Sequence, residues 1–198
     1  MSISRQEAEL YETMWGVPAY STFSPGATYA PIFLDLTGDR LCFGHKVLDA
    51  GCGSGKGALA LHAMRDDLDI RLCDLTPEGL VEDARAFPFY RAVLWQSLKG
   101  IGPYVHGGKY DWVYCTDVLE HIPTPFTMLV VSRLMEVARE GVFISVSLMP
   151  DSFGVWVGKP LHQTVQSFVQ WRDQFAELAD VEEARDLLGT GVYLLRPR

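Results

Sequence analysis

This sequence has no long apolar run. The longest apolar stretches, at about 128–131 and 141–149, contain serines or are far shorter than the roughly 18 to 20 residues that a membrane-spanning helix needs. The first residues, MSISRQEAELYETMW, also lack the cationic start and apolar block of a secretory signal. We therefore expect a soluble, cytoplasmic protein with no membrane partner.

Paired cysteines are absent as well. The four cysteines, Cys42, Cys52, Cys73 and Cys115, are dispersed and form no C-x-x-C pair. A disulfide framework or a zinc ribbon would need closer pairing, and the spacing matches no metal signature. The pattern predicts small packed thiols and no metal site.

Basic residues are also fewer than acidic ones. The chain has 17 Lys and Arg against 25 Asp and Glu, for a net charge of -8. Affinity for nucleic acid depends on a basic patch that neutralises phosphates. The composition therefore argues against a dedicated nucleic-acid binder.

What the sequence does contain is an alternation of strand and helix signals, in a length and apolar content that suit one globular domain. Strands are predicted at 46–50, 69–74, 91–95, 111–116 and 142–148, and helices at 4–15, 27–38, 58–65, 76–87, 125–139 and 165–178. Thr76 and Pro77 mark one helix start, and Gly141 is the predicted C-terminal cap of the 125–139 helix. Residues 180–198 predict two strands joined by a tight turn at 189–191. This order favours an α/β fold with a mostly parallel sheet and an antiparallel hairpin at one edge.

The most informative segment is VLDAGCGSGKG, residues 47–57. A strand ends in Asp49, and a glycine then occupies every second position from Gly51 to Gly57 before a helix begins. Glycine permits a tight turn and a close approach of a ligand to the main chain. A Walker A loop would need glycine at position 50, and a dinucleotide fingerprint would need glycine at position 56. An acid followed by G-x-G-x-G suits S-adenosylmethionine, whose sulfonium and ammonium groups are cationic.

Residues 47–57 resemble motif I of the class I S-adenosylmethionine-dependent methyltransferases, and YDWVYCTDVLEHIP, residues 110–123, is similar to the fourth-strand motif of that family. Asp74 lies 23 residues after Gly51, where the family places the acid that holds the ribose hydroxyls. The resemblance implies a Rossmann-like three-layer sandwich with a mostly parallel seven-stranded sheet and a C-terminal antiparallel hairpin. It also implies that residues 1–44 form N-terminal helices that cap the cofactor site and that residues 45–198 form a single methyltransferase domain.

The resemblance further implies which residues bind S-adenosylmethionine. Asp74 is expected to accept hydrogen bonds from the ribose hydroxyls, with a helix-start charge as its alternative role. Many family members carry an acid after the third strand that contacts the adenine amino group, and here the amide oxygen of Gln96 is the candidate for that contact. The predicted cofactor-binding residues are Tyr20, Asp49, Ala50, Gly51, Cys52, Gly53, Asp74, Leu75, Gln96, Ser97, Cys115 and Asp117.

Two histidines are the candidates for catalysis. Methyl transfer is a direct displacement, so a base is needed only when the acceptor must lose a proton. His121 lies in the fourth-strand motif, with a structural or cofactor-side role as its alternative, and His162 follows a segment long enough to be a lid. Trp156, His121 and His162 are the predicted substrate contacts, whereas packing is the expected role of Tyr11 and Trp15.

The predicted function is transfer of a methyl group to an oxygen or nitrogen atom of a small-molecule acceptor. One alternative is an enzyme that acts on a nucleic-acid base or RNA, which a cluster of Arg133, Arg139, Lys159 and Arg172 at the pocket mouth would favour. Against it, the chain lacks the Pro-Cys pair of cytosine-C5 methyltransferases and the N/D/S-P-P-Y/F tetrapeptide of amino-group DNA methyltransferases. A second alternative is a protein that binds or consumes S-adenosylmethionine without methyl transfer.

Overall fold

The computed structural model describes residues 3–22, 24–96, 98 and 109–198. Its helices are α1 (Ile3–Trp15), α2 (Pro18–Thr22), α3 (Pro25–Thr37), α4 (Lys56–Met64), α5 (Thr127–Val137) and α6 (Phe168–Leu178). Its strands are β1 (Lys46–Ala50), β2 (Asp69–Asp74), β3 (Phe89–Arg91), β4 (Tyr110–Thr116), β5 (Ala138–Ser147), β6 (Asp180–Asp186) and β7 (Thr190–Arg196). Among the residues with a described structure, no helix combines the length and the apolarity needed to cross a membrane.

The strands form one seven-stranded sheet in the order β3-β2-β1-β4-β5-β7-β6. The first five strands run parallel to their neighbours, and β7 lies antiparallel between β5 and β6. The chain moves outward from β1 to β3 on one side and then returns to place β4 on the other side of β1. In such a sheet the ligand crevice lies at the carboxyl ends of the two strands where the direction changes, which here are β1 and β4. The predicted Rossmann-like fold, with its edge hairpin, is confirmed.

Helices cover both faces of the sheet. On one face Phe33 of α3 packs against three aromatic side chains of the sheet at ring-centroid distances of 5.3 to 6.0 Å, namely those of Trp112, Tyr114 and Phe143. On the other face Leu134 of α5 and Trp171 of α6 are fully buried. Helix α3 therefore belongs to the core of the sandwich. The boundary between an N-terminal cap, 1–44, and a separate domain, 45–198, stays a prediction.

The helix predicted at 76–87 does not form. This segment contains only a 3-10 turn at Glu82–Ala86. Val81 is extended and donates its N–H to the carbonyl of Ser54 at 3.1 Å. A Cβ atom on Gly79 would lie only 2.4 Å from Cε2 of Trp15. Contacts with the glycine turn and with α1 therefore hold the segment in place of helical hydrogen bonds.

Gly141 was predicted as a helix cap, and this prediction is wrong because the residue lies inside β5. A Cβ atom there would lie 2.7 Å from Cζ3 of Trp112 and 2.8 Å from the carbonyl oxygen of Leu195. Glycine at this position therefore allows Trp112 and the backbone of β7 to pack closely against β5. Helix α5 ends earlier, at Val137.

Several other boundaries shift, among them the start of β5, which lies at Ala138 rather than 142. The third strand occupies Phe89–Arg91 rather than 91–95. The last helix begins at Phe168 rather than 165, because Ser167 and Gln170 form a capping box that fixes its first turn.

Candidate active site

A cavity of about 500 Å³ opens at the carboxyl ends of β1, β2 and β4. Its other walls come from α1, from the α2–α3 region and from the segment at 147–162. The ends of β1 and β2 with the glycine turn form one part of the lining, which we call the cofactor end, and Tyr11 and His121 with the segment at 147–162 form another, the acceptor end.

The glycine turn after β1 is held in a conformation that suits glycine. Gly51, Gly53 and Gly55 have φ angles of 75°, 52° and 73°. A Cβ atom on Gly51 would lie 2.4 Å from Cγ2 of Val118. The N–H groups of Gly51 and Cys52 both donate to the carbonyl of Cys73, at 2.8 and 3.1 Å, so the turn is tied to the end of β2.

Asp74, at the end of β2, is fixed by backbone hydrogen bonds. Its Oδ2 accepts from the N–H of Gly53 at 2.8 Å, and its Oδ1 accepts from the N–H of Leu75 at 2.6 Å. Burial raises the pKa of Asp74, and these hydrogen bonds oppose that shift. Each carboxylate oxygen retains a further lone pair for a donor that enters the cavity.

Asp49 adds a second buried acid at this end. Desolvation and the charge of Asp74 raise the pKa of Asp49 to about 7. Its Oδ2 has no hydrogen-bond partner among the described residues. The described lining of the cavity includes no lysine or arginine, so a cationic group would find uncompensated carboxylates there.

Asp117 and Glu120 follow β4 and form a second pair of acids. Asp117 has a positive φ of 50° and accepts a hydrogen bond from Oγ of Ser145 at 3.0 Å. Burial raises the pKa of Asp117 to about 6. The pKa of Glu120 is raised well above its ordinary value, first by burial and then by the charge of Asp117.

The two predicted catalytic histidines lie side by side in the cavity wall. The ring centroids of His121 and His162 are 4.8 Å apart in an edge-to-face arrangement. Nδ1 of His121 lies 3.2 Å from the carbonyl oxygen of Leu161, and Nδ1 of His162 lies 2.6 Å from that of Met149. Since a carbonyl can only accept, each neutral ring carries its proton on Nδ1 and has a lone pair on Nε2. Desolvation, helped by His162, lowers the pKa of His121 to about 3.

Aromatic side chains enclose the cavity from the N-terminal side. The Trp15 and Tyr20 rings are 4.9 Å apart, and Tyr20 meets Phe153 edge to face at 5.6 Å. Through these two ring contacts α1, α2 and the segment at 147–162 form a continuous aromatic wall of the cavity.

Asp151 shapes that segment. Its carboxylate accepts hydrogen bonds from the N–H groups of Gly154, Leu161 and His162, at 2.5, 2.6 and 3.2 Å. These three bonds hold the segment as a closed loop, and they lower the pKa of Asp151 against the effect of desolvation. The position of His162 therefore depends on Asp151.

Most of the predicted site residues line the cavity, namely Tyr20, Asp49, Gly51, Cys52, Gly53, Asp74, Leu75, Asp117, His121 and His162. Four described residues do not. Ala50 and Cys115 are fully buried within their strands, Gln96 is exposed, and Trp156 is 60% exposed outside the lining. Ser97 lies outside the described residues. The roles assigned to all of these residues stay predictions.

Sequence reasoning missed several lining residues. Trp15 and Tyr11 were expected to pack on the sheet, yet both face the cavity. Trp95, next to the predicted Gln96, lines the cavity and stacks on Phe126 with ring centroids 5.6 Å apart. The aromatic content of 1–44 was a signal for the first two, whereas nothing in the sequence pointed to Glu7.

Comparison with known proteins places these features in a family. Residues 48–143 match the family model described as a methyltransferase domain. The ubiquinone biosynthesis O-methyltransferase of Pectobacterium carotovorum subsp. carotovorum (strain PC1) is 32% identical over 139 residues, which cover 68% of this chain and 56% of the relative. The chain thus spans little more than half the length of that relative.

Two solved structures share the fold. The magnesium protoporphyrin IX methyltransferase of Synechocystis PCC 6803 with bound SAH has a TM-score of 0.62 at 20% identity, over 87% of this chain and 83% of that one. The putative methyltransferase of Haloferax volcanii in complex with the Trm112 activator has a TM-score of 0.70 at 15% identity, over 94% and 98% of the two chains.

The fold and the acidic glycine-turn site define a Rossmann-like methyltransferase domain. The chain belongs to the class I S-adenosylmethionine-dependent methyltransferases. The predicted family and the predicted cofactor are therefore confirmed.

Proposed function

We propose that this protein transfers a methyl group from S-adenosylmethionine to a hydroxyl oxygen of a small aromatic acceptor. The observation that carries the proposal is a single cavity of about 500 Å³ with carboxylates at one end and a histidine pair at the other. That volume is typical of a small-ligand site.

The acidic end fits the cofactor. Glycines leave the main chain of the turn without side chains, and Asp49, whose Oδ2 has no partner among the described residues, belongs to the same cavity lining. Asp74 would accept hydrogen bonds from the ribose hydroxyls through its remaining lone pairs. Tyr20 would cover the cofactor from the side of α2. The sulfonium and ammonium charges then replace the missing countercharge at this end.

The histidine end fits the acceptor. S-adenosylmethionine supplies a methyl group that is activated for displacement by its bond to a sulfonium sulfur. The chain must bring a nucleophile to it in line and keep water out. Tyr11 meets His121 edge to face with ring centroids 5.8 Å apart, and Phe153 lines the same cavity, so aromatic walls suited to an aromatic ring flank this end. Nε2 of either histidine would accept a hydrogen bond from the acceptor hydroxyl.

Charge at the cavity mouth favours a small acceptor over nucleic acid. None of the four cations that would form a basic patch lines the cavity, and each pairs with an acid: Arg133 with Glu136, Arg139 with Asp111, Lys159 with Glu7, and Arg172 with Asp173, at 2.7 to 3.8 Å. A polyanionic acceptor would therefore meet acids in the cavity lining, and none of these four cations is free of an acidic partner. The naming of the Pectobacterium relative as an O-methyltransferase supports oxygen over nitrogen as the acceptor atom.

The test is incubation of the full chain with methyl-labelled S-adenosylmethionine and three sets of acceptors: small phenols and catechols, matched aromatic amines, and RNA or DNA. We expect label in the phenolic products, identified as methyl ethers by mass spectrometry. Label only in nucleic acid would overturn the proposal in favour of the first alternative. Cofactor breakdown with no acceptor, or binding with no turnover across all sets, would overturn it in favour of the second.

A further inference from the structure

We propose that Glu120, His121 and His162 form a binding site for one divalent transition-metal ion at the acceptor end of the cavity. The proposal deepens the proposed function and rests on it for the ion's use, since an ion there would hold the acceptor oxygen in place of a direct hydrogen bond from the hydroxyl to Nε2 of either histidine. It departs from the sequence-based expectation of no metal site.

The three side chains converge although they come from two parts of the chain. One ligand atom from each lies within 4.8 Å of the other two. Glu120 and His121 share the 3-10 turn after β4, Leu119–His121, and His162 comes from the loop that Asp151 holds closed. Ligand atoms around a tetrahedral zinc ion lie roughly 3.3 Å apart, given metal–nitrogen bonds of about 2.0–2.1 Å. Binding an ion through all three side chains therefore requires their ligand atoms to move together by up to about 1.5 Å.

Both imidazoles are oriented as metal ligands usually are. Metal-binding histidines commonly donate the proton of one ring nitrogen to a backbone carbonyl, which fixes the tautomer and leaves the other nitrogen for the metal. Here the carbonyls of Leu161 and Met149 take the Nδ1 protons of His121 and His162. Each Nε2 therefore carries a lone pair, and both rings line the cavity.

Glu120 supplies an independent observation. Its side chain is completely buried, and its Oε1 accepts a hydrogen bond from the N–H of Ser147 at 2.8 Å. Its Oε2 is buried with no partner among the described residues. A buried carboxylate oxygen without a donor is costly, and a cation bound by the neighbouring imidazoles would supply the missing partner.

The donor set indicates the kind of ion. Two imidazoles and one carboxylate suit Zn²⁺, Fe²⁺ or Co²⁺, whereas Mg²⁺ and Ca²⁺ prefer sites made of oxygen ligands. Three protein ligands also leave a coordination position open for an oxygen from the acceptor.

The experiment uses the full chain, stripped of metal with a chelator and titrated with Zn²⁺ by calorimetry and with Co²⁺ by visible absorption. We expect one equivalent to bind with no cofactor or acceptor present, and the cobalt complex to show the absorption of a low-coordinate site. His162→Ala should weaken binding at least tenfold, and Glu120→Gln should also weaken it. His62→Ala, an exposed histidine on α4, is the matched control and should bind as the parent protein does.

His162→Ala keeps the test decisive if Glu120→Gln fails to fold, because His162 lies in a surface loop. Absence of stoichiometric binding, or equal binding by His162→Ala and the parent, would overturn the site. Methyl transfer that persists after chelation would overturn the ion's use in the reaction while leaving the proposed function intact. Metal binding without methyl transfer to any small acceptor would support the site and overturn the proposed function.

Discussion

The two ends of the cavity are built differently. At the cofactor end, defined by Asp49, the glycine turn and Asp74, the parts are short contiguous segments joined by backbone hydrogen bonds. At the acceptor end, defined by Tyr11, His121 and the segment at 147–162, side chains far apart in sequence touch one another. The first end therefore depends on backbone conformation and the second on the docking of separate segments. Substitutions at the two ends should differ in size of effect and in the ligand affected.

The largest effect is expected from Gly51→Ala. An alanine at a left-handed φ costs roughly 1–2 kcal/mol, and its Cβ would meet Val118 at 2.4 Å. The turn must shift to relieve that clash, so cofactor affinity should fall about 100-fold or more, as measured by calorimetry. Gly44→Ala is the control, because Gly44 has a φ of 72° with no atom within 4 Å of its Cβ position. Equal cofactor affinity in the two variants would contradict a cofactor end set by backbone geometry.

Asp74→Ala should have the next largest effect. It removes an acceptor for the ribose hydroxyls and also the hydrogen bonds from Gly53 and Leu75. Charge-assisted hydrogen bonds contribute about 1.5–3 kcal/mol, so the cofactor dissociation constant should rise about tenfold to a hundredfold. Asp66→Ala, which changes an exposed acid, should leave it unchanged. Unchanged affinity in Asp74→Ala would remove Asp74 from the site.

Asp49 predicts a dependence of cofactor binding on pH. Its pKa of about 7 means that the carboxyl is mostly protonated below neutrality. A cationic ligand favours the carboxylate, so binding below pH 7 must release a proton and affinity should fall by up to about tenfold per pH unit. Calorimetry in buffers of different ionisation enthalpy measures that proton. Asp49→Asn should bind more weakly and lose this pH dependence. A cofactor affinity that does not change between pH 6 and 8 in the parent protein would contradict a role for Asp49 ionisation in binding.

The same contrast explains what the sequence could predict. The ends of β1, β2 and β4 and the glycine turn were predictable, because each is a contiguous run whose spacing reflects its own backbone. The helix expected at 76–87 fails for the opposite reason. The conformation of this segment depends on the carbonyl of Ser54 and on the Trp15 ring, which contact it only in the folded chain. A local helix pattern carries no information about such partners.

The acceptor end shows the same limit. His121 and His162 were singled out separately, but their edge-to-face contact depends on the loop that Asp151 closes. Trp156 was predicted from the same loop and lies mostly in solvent, because the 3-10 turn Gly154–Trp156 turns it away from the cavity lining. The sequence could predict that this segment lines the cavity, but not which of its side chains point into it.

The smallest effect is expected at the acceptor end, from Phe153→Ala. Its ring meets Tyr20 in an edge-to-face contact, an interaction typically worth about 0.5–1.5 kcal/mol. The KM for a phenolic acceptor should therefore rise roughly 2- to 10-fold, with cofactor affinity unchanged. Val155→Ala, two residues along the same loop and 78% exposed, should change neither. A loss of cofactor affinity in Phe153→Ala comparable to that of Asp74→Ala would show that the two ends form one cooperative unit. An unchanged KM would instead mean that the loop does not contact the acceptor.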